Sequence, residues 1–235
     1  HASYRRQRQM CIRDRLMESM SAHKTGFLRN QPQEKSLTPF LDELSQKSIS
    51  FSNYYTSGIH TYAGIFSSLF SHPVTLKKHA MKRYPVPVFQ SLPYYLKKKN
   101  FRNFYIISHD PQFDNAAGFL RANHFDRIYS INDYPSDKVL STLGVPDHQL
   151  LHYSLSFIGE QKKLHPGKKF FATIKTSSDH GPYILPKNIS LVPKSTKIKR
   201  SIVEYADWSL KQFFKEAQNQ DWFNQTLFVL TADHG

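Results

Sequence analysis

One cysteine in 235 residues cannot pair within the chain, so a disulfide-stapled scaffold is excluded. No run approaches the ~20 consecutive apolar residues of a membrane helix, so no segment reads as a transmembrane span. Internal repeats and Gly/Ser-rich linkers are also missing, which argues against a solenoid and for one domain. Acidic residues are scarce: 18 Asp plus Glu stand against 32 Lys plus Arg, for a net charge of +14. That balance suits an anionic partner, whether nucleic acid, lipid headgroup or phosphorylated substrate, and composition does not separate the three. With 39% hydrophobic and 14% aromatic residues the chain can bury a core, so wholesale disorder is excluded.

Residues 1–15, HASYRRQRQMCIRDR, show no apolar period, no helix cap and no secretory h-region. Arg5 to Asp14 match, residue for residue, the translation of a transposase-library sequencing adaptor read from its second base. Arg15 follows from the two bases left over and any purine. Residues 1–15 are therefore expected to be an adaptor artefact with no domain, and 16–235 a catalytic-domain fragment. The competing reading is a basic, disordered arm that touches nucleic acid. On the adaptor reading the apolar strand leading into Leu16 is overwritten. The remainder then carries 27 − 17 = +10 and no cysteine.

From Leu16 onward short apolar runs alternate with helical stretches, which predicts an α/β fold. Strands are expected at Ser48–Tyr54, Asn103–Ser108, Phe170–Lys175 and Thr226–Thr231, each rich in Phe, Ile, Val or Thr. Helices are expected at Thr38–Gln46, Thr61–Phe70, Ser91–Lys98, Asp114–Ala122, Asp147–Gly159 and Ser195–Gln218. The first opens Thr-Pro, a cap followed by proline at the first helical position. The last places Ile198, Ile202, Tyr205, Leu210, Phe213 and Phe214 in a core-facing stripe.

Four places could carry chemistry. Leu16-Met-Glu-Ser19 reads as the end of a first strand with Glu18 at its carboxyl edge, and Asp233-His234 ends the last strand, where open α/β sheets place ligands. Thr61 opens an apolar helix, beside free N–H groups and a dipole that favours anions. His180 sits on a loop after the Phe170 strand, in Lys175-Thr-Ser-Ser-Asp-His-Gly-Pro-Tyr183. Glu, Thr oxygen, Asp and His form a mixed O/N set suited to Mn²⁺ or Zn²⁺. A metal there would lower the pKa of the Thr61 hydroxyl and make it a competent nucleophile. Taken singly, a Thr at a helix start is more often a cap, and a strand-end Glu is more often solvated. Asp147 reads as a helix cap rather than a ligand. The chain stops just after Asp233-His234, so it is expected to be truncated at both ends.

The ordered segments LMESMS, TPFLDELS, SGIHTYAGIFSSLF, SSDHGPY and LFVLTADHG resemble the lipoteichoic acid synthase-like branch of the sulfatase and alkaline phosphatase superfamily. The resemblance runs from Leu16 to Gly235. It implies an alkaline phosphatase-like sandwich: a mixed, mostly parallel central sheet flanked by helices. It implies one divalent metal, Mn²⁺ foremost with Zn²⁺ or Mg²⁺ as alternatives, held by Glu18, Thr61, Asp233 and His234. Thr61 falls on the family nucleophile, which carries a phospho-headgroup as phosphothreonine, and His180 on the loop histidine that contacts the phosphoryl group. A phospholipid headgroup donor, a hydroxyl acceptor and upstream membrane helices follow, with the catalytic domain on the extracytoplasmic side of the cell membrane.

Two departures narrow this. The run Thr61-Tyr-Ala-Gly-Ile65 lacks the Cys/Ser-x-Pro-x-Arg setting that makes formylglycine, which argues against arylsulfate hydrolysis. Where relatives show a Trp- and Arg-bearing substrate segment, this chain reads Ser108-His-Asp-Pro-Gln-Phe-Asp-Asn115, with Phe113 near the Trp place and no arginine. His109, Phe113 and Asn115 are candidate substrate contacts; loop-polar roles suit His109 and Asn115 equally. The leading expectation is a phosphoglycerol- or phosphoethanolamine-type transferase with no nucleic-acid partner. A phosphodiesterase or sulfatase-like hydrolase on the same scaffold competes with it. So does a basic nucleic-acid-binding module, disfavoured because the aromatics fall in core-patterned runs.

Overall fold

The computed structural model describes residues 11–29, 35–74 and 79–235. Its strands are β1 (Cys11–Met17), β2 (Phe101–Ile107), β3 (Arg127–Tyr129), β4 (Lys169–Lys175) and β5 (Thr226–Ala232). They form one sheet ordered β3-β2-β4-β1-β5, and every ladder between them is parallel. Parallel neighbours need a crossover long enough to return the chain to the same edge, which a helix supplies. Here α1 (Pro39–Ser45), α2 (Thr61–Phe70) and α3 (Leu92–Lys98) lie between β1 and β2. Next, α4 (Ala116–Ala122) leads to β3, α5 (Asp147–Leu164) to β4 and α6 (Ile198–Ala217) to β5.

Alternation along the strands divides the core into two layers, because successive strand residues point to opposite faces. Phe104, Ile106, Phe170, Ala172 and Ile174 pack with Leu151 and Ile158 of α5 and Val203, Leu210 and Phe213 of α6. Phe101, Tyr105, Ile107 and Phe171 pack on the other face with Ile65, Phe66 and Leu69 of α2, Leu96 of α3 and Phe119 of α4. A sheet covered on both faces favours near-continuous apolar strands, and residues 104–107 of β2 and 170–174 of β4 come close to that pattern. The strand β1, next to the edge strand β5, reads Cys-Ile-Arg-Asp-Arg-Leu-Met, with three charges in its middle.

Helix ends are fixed by long-range contacts as well as by local signals. In α1 the N–H groups of Phe40 and Leu41 donate to the two carboxylate oxygens of Asp207 on α6, at 2.9 and 2.8 Å. A carboxylate from another helix thus satisfies N–H groups that a helix start leaves unpaired.

Five sequence expectations change. Ser48–Tyr54 is not a strand: Ile49, Phe51 and Tyr54 stand in solvent, and β-favouring residues with no partner strand have nothing to pair with. The short β3 carries too few residues to show a period. Asp114 and Asn115 take left-handed φ values of 55° and 57° in a 3₁₀ turn, so α4 starts at Ala116. Continuation of α5 to Leu164 buries Gln161 beyond the expected end at Gly159. Ile198, in the first turn of α6, is exposed, so the buried stripe begins further on, at Ser201 and Ile202.

Candidate metal and phosphoryl site

Parallel strands bring all their carboxyl ends to one edge, where the following loops can converge. Strands β4, β1 and β5 are adjacent, so the residues that close or follow them become neighbours. Lys175 closes β4 and pairs in register with Leu16, while Met17 pairs with Ala232. Glu18 and Asp233 are the next residues along β1 and β5. One ligand atom each from Glu18, Asp233 and His234 lies within 4.8 Å of the others.

The carboxylates are buried, Glu18 at 3% and Asp233 at 0% exposure. Asp233 Oδ1 accepts the N–H groups of Ser19 at 3.0 Å and His234 at 2.9 Å. Its Oδ2 is buried with no hydrogen-bond partner, and its nearest cationic groups, Lys175 Nζ and His234 Nε2, are both 3.8 Å away. His234 Nε2 is 3.3 Å from Glu18 Oε1, and Lys175 Nζ donates to Glu18 Oε2. Burial alone would raise the Glu18 pKa. The His234 hydrogen bond and the Lys175 charge outweigh it and hold the carboxyl at about 2. The same Glu18 hydrogen bond, against the cost of burial, raises His234 to about 9.

A divalent cation fits this donor set. Two carboxylates and an imidazole converge from the ends of two adjacent strands, and the orphaned Oδ2 of Asp233 is a buried acceptor that a cation would satisfy.

Thr61 reaches this edge from α2. It is the first residue inside the helix; His60 holds the cap position and makes no side-chain cap bond. The expected alternative, Thr61 as a cap, therefore does not apply. Gly64 lies so close to the end of β5 that a Cβ there would fall 2.2 Å from the Asp233 carbonyl oxygen. Thr56 Oγ1 donates to the same oxygen at 3.0 Å. The N-terminal turn of α2 is thereby pinned against Asp233.

Next to the carboxylates is a small pocket of about 20 Å³, walled by Thr61, His109, Asp110, Phe113, Asp114 and Lys175 among others. Burial, and then the positive charge of Lys175, push the His109 pKa down to about 4, so the ring is neutral at pH 7. Its Nδ1 is buried and unpartnered, and its ring centroid is 5.9 Å from that of the exposed Phe113. Asn115 does not wall this pocket; its amide donates to Met81 O at 2.7 Å, fastening the turn before α4.

His180 is exposed on the loop after β4, with Nδ1 2.7 Å from Gly181 O. That loop is held by Asp147, whose Oδ1 accepts the N–H groups of Ser177 at 3.0 Å and Ser178 at 3.2 Å. Asp147 is thus a tie between α5 and the loop, not a cap of its own helix. Lys24 adds a second tie, 2.5 Å from Asp179 Oδ2. Of the residues expected from sequence, Glu18, Asp233 and His234 come together here and Thr61 opens the adjacent helix, while Lys175, Asp179 and Lys24, which pair around them, carried no sequence expectation. The available signal for Lys175 was a charge closing the apolar run of β4.

Comparison with known proteins points the same way. The family model described as Sulfatase matches residues 16–235. A lipoteichoic acid synthase-like protein of Bacillus subtilis is 22% identical over 231 residues, covering 94% of this chain and 37% of its own. Phosphoglycerol transferase I of Xanthomonas campestris is 24% identical over 217 residues, covering 84% and 30%. The chain thus spans about a third of the length of these curated relatives. A crystal structure of an alkaline phosphatase superfamily protein from Vibrio parahaemolyticus superposes with a TM-score of 0.85. It is 27% identical and covers 95% of this chain and 54% of that one.

Proposed function

The chain belongs to the sulfatase family, and on that premise we propose that it is the catalytic part of a metal-dependent phosphotransferase. It moves a phosphoglycerol- or phosphoethanolamine-type headgroup from a phospholipid to an acceptor hydroxyl through a phosphothreonine at Thr61. The observation that carries the reading is the convergence of Glu18, Asp233 and His234 within 4.8 Å, against the helix that begins at Thr61. The relatives named as lipoteichoic acid synthase-like and phosphoglycerol transferase support the substrate class.

Glu18, Asp233 and His234 would hold the cation, with the Thr61 hydroxyl alongside. A divalent ion, Mn²⁺ foremost, supplies positive charge to the phosphoryl oxygens and lowers the pKa of a neighbouring hydroxyl. The chain does the rest. Thr61 offers its oxygen from the N-terminal turn of α2, where backbone N–H groups and the helix dipole favour an anion. Neutral His109 donates to or accepts from the headgroup with no charge of its own. Phe113 supplies an apolar wall. His180, on its tied loop, delivers a proton to the leaving alkoxide. Displacement by a second hydroxyl then frees Thr61. The setting proposed is the outer face of a cell membrane, where both donor and acceptor are found. Among the described residues no helix is long and apolar enough to cross a membrane.

The test is incubation of the protein with Mn²⁺ and a phospholipid labelled in its headgroup, followed by mass spectrometry of the Thr61 peptide. A phospho-headgroup adduct on Thr61, absent in Thr61→Ala, is expected. Full turnover by Thr61→Ala with no adduct sinks the reading. Label on a saccharide or lipid hydroxyl reports transfer; free phospho-headgroup reports hydrolysis.

A further inference from the structure

Lys175 has no part in the reading above, yet it occupies the joint between the carboxylate cage and the pocket. Its alternation in β4 places it on the α2 side of the sheet with Phe171, and its side chain is 4% exposed. A charged group at that depth is costly unless paired. It is paired: Nζ donates to Glu18 Oε2 and to Thr176 O at 3.2 Å, and lies 3.8 Å from Asp233 Oδ2. The same side chain walls the pocket that Thr61 and His109 share. One flexible cation therefore borders both the cage and the pocket, whose wall carries Thr61 and His109 together with Asp110 and Asp114.

We propose that Lys175 is a two-position phosphate-binding residue. In the metal-free chain its ammonium neutralises Glu18. When Glu18 is committed to a divalent cation, Lys175 turns about its four-carbon stem into the pocket and takes an anionic oxygen of the phosphoryl group. Two cations cannot share Glu18 Oε2 at contact distance, because their repulsion in a buried site is large. The pocket is the opening that Lys175 already lines. Loading of the cage and preparation of the anion site thus become one event. The ligand class is a phosphomonoester or phosphodiester oxygen. The inference rests on the metal and phosphoryl reading of the site but not on transfer as opposed to hydrolysis.

The variant Lys175→Met keeps much of the stem and removes the charge. Calorimetry should show Mn²⁺ binding about tenfold tighter or more than in the unsubstituted protein, because the competing cation is gone. Glycerol phosphate binding to the Mn²⁺-loaded protein should weaken about tenfold, because a charged contact is lost. A merely structural lysine would leave the two affinities unchanged or weaken both, and either outcome overturns the proposal. Reductive methylation of the unsubstituted protein, read by mass spectrometry, is independent of how the variant folds. Lys175 should resist labelling without metal, react with Mn²⁺ present, and be protected again by glycerol phosphate. Labelling unchanged by Mn²⁺ overturns the proposal. If the unsubstituted protein binds neither Mn²⁺ nor glycerol phosphate, the reading of the site itself has failed, and Lys175 falls with it.

Discussion

His109 shows how one side chain reports its surroundings. It sits beside Lys175 with a buried, unpartnered Nδ1, and its pKa is pushed down from 6.5 to about 4. Above pH 6.5 the ring is neutral in both folded and unfolded chains, so the shift costs nothing there. As pH falls from 6.5 towards 4 the unfolded chain takes up a proton that the folded chain refuses, and stability falls across that window. The loss expected by pH 4 is on the order of 3 kcal/mol. His109→Gln removes the titrating group, so its urea midpoint should fall less steeply between pH 6.5 and 4. Parallel slopes for the two proteins would show that His109 is not the group responsible. At this scale the sequence was informative for residues that follow strands, because a parallel sheet collects strand ends whatever the detail between them. Glu18, Asp233 and His234 were legible for that reason. The path of the Asn115 amide to Met81 O was not, because it depends on a left-handed turn that no local signal announced.

Among the elements, α2 carries the closest steric constraint. Gly64 faces the backbone of Asp233, where a Cβ would meet the carbonyl oxygen at 2.2 Å. Gly159, in α5, has nothing within 4 Å of the same construction. Alanine in a helix interior gains about 1 kcal/mol over glycine from propensity alone. Gly159→Ala should therefore stabilise by about that amount. In Gly64→Ala the gain is opposed by a backbone overlap that only a shift of the helix relieves, at about 1–3 kcal/mol or more. The net effect expected is destabilisation. A displacement of α2 by about 1 Å also misplaces Thr61 relative to the cage, which costs about a hundredfold in rate. Thermal melts of both variants, with turnover of Gly64→Ala, check this; a more stable and fully active Gly64→Ala would contradict the packing argument. The boundaries of α2 were readable because an apolar stripe and a helix start coincide. The expected strand at Ser48–Tyr54 failed because β-favouring residues describe a half-buried surface, and here no partner strand creates one.

Over the whole molecule the anomaly is the strand β1. β1 lies between β4 and β5, with Arg13 in register beside Ala172 and Phe228, and Arg15 beside Ile174 and Leu230. A strand with neighbours on both sides of a covered parallel sheet calls for a continuous apolar sequence. Arg13, Asp14 and Arg15 supply three charges instead. The family match begins at residue 16, one residue past them. We propose that residues 1–15 are adaptor-derived, and that the strand is specified by its slot between β4 and β5 rather than by its own residues. Codons for residues 5–14 that differ from the adaptor would remove the first half of that proposal. The second half has a thermodynamic consequence. A strand with neighbours on both sides favours apolar residues over charged ones, and β-branched residues fit its pleat. For a chain of this size 1 kcal/mol corresponds to about 2–4 °C in Tm. Joint replacement of Arg13, Asp14 and Arg15 by Val, Val and Ile should therefore raise Tm by about 5 °C or more. Mn²⁺ binding should be retained, because Glu18, Asp233 and His234 are untouched. An unchanged or lowered Tm would mean that the charged residues are accommodated between β4 and β5, and that β1 contributes more to the fold than its position alone.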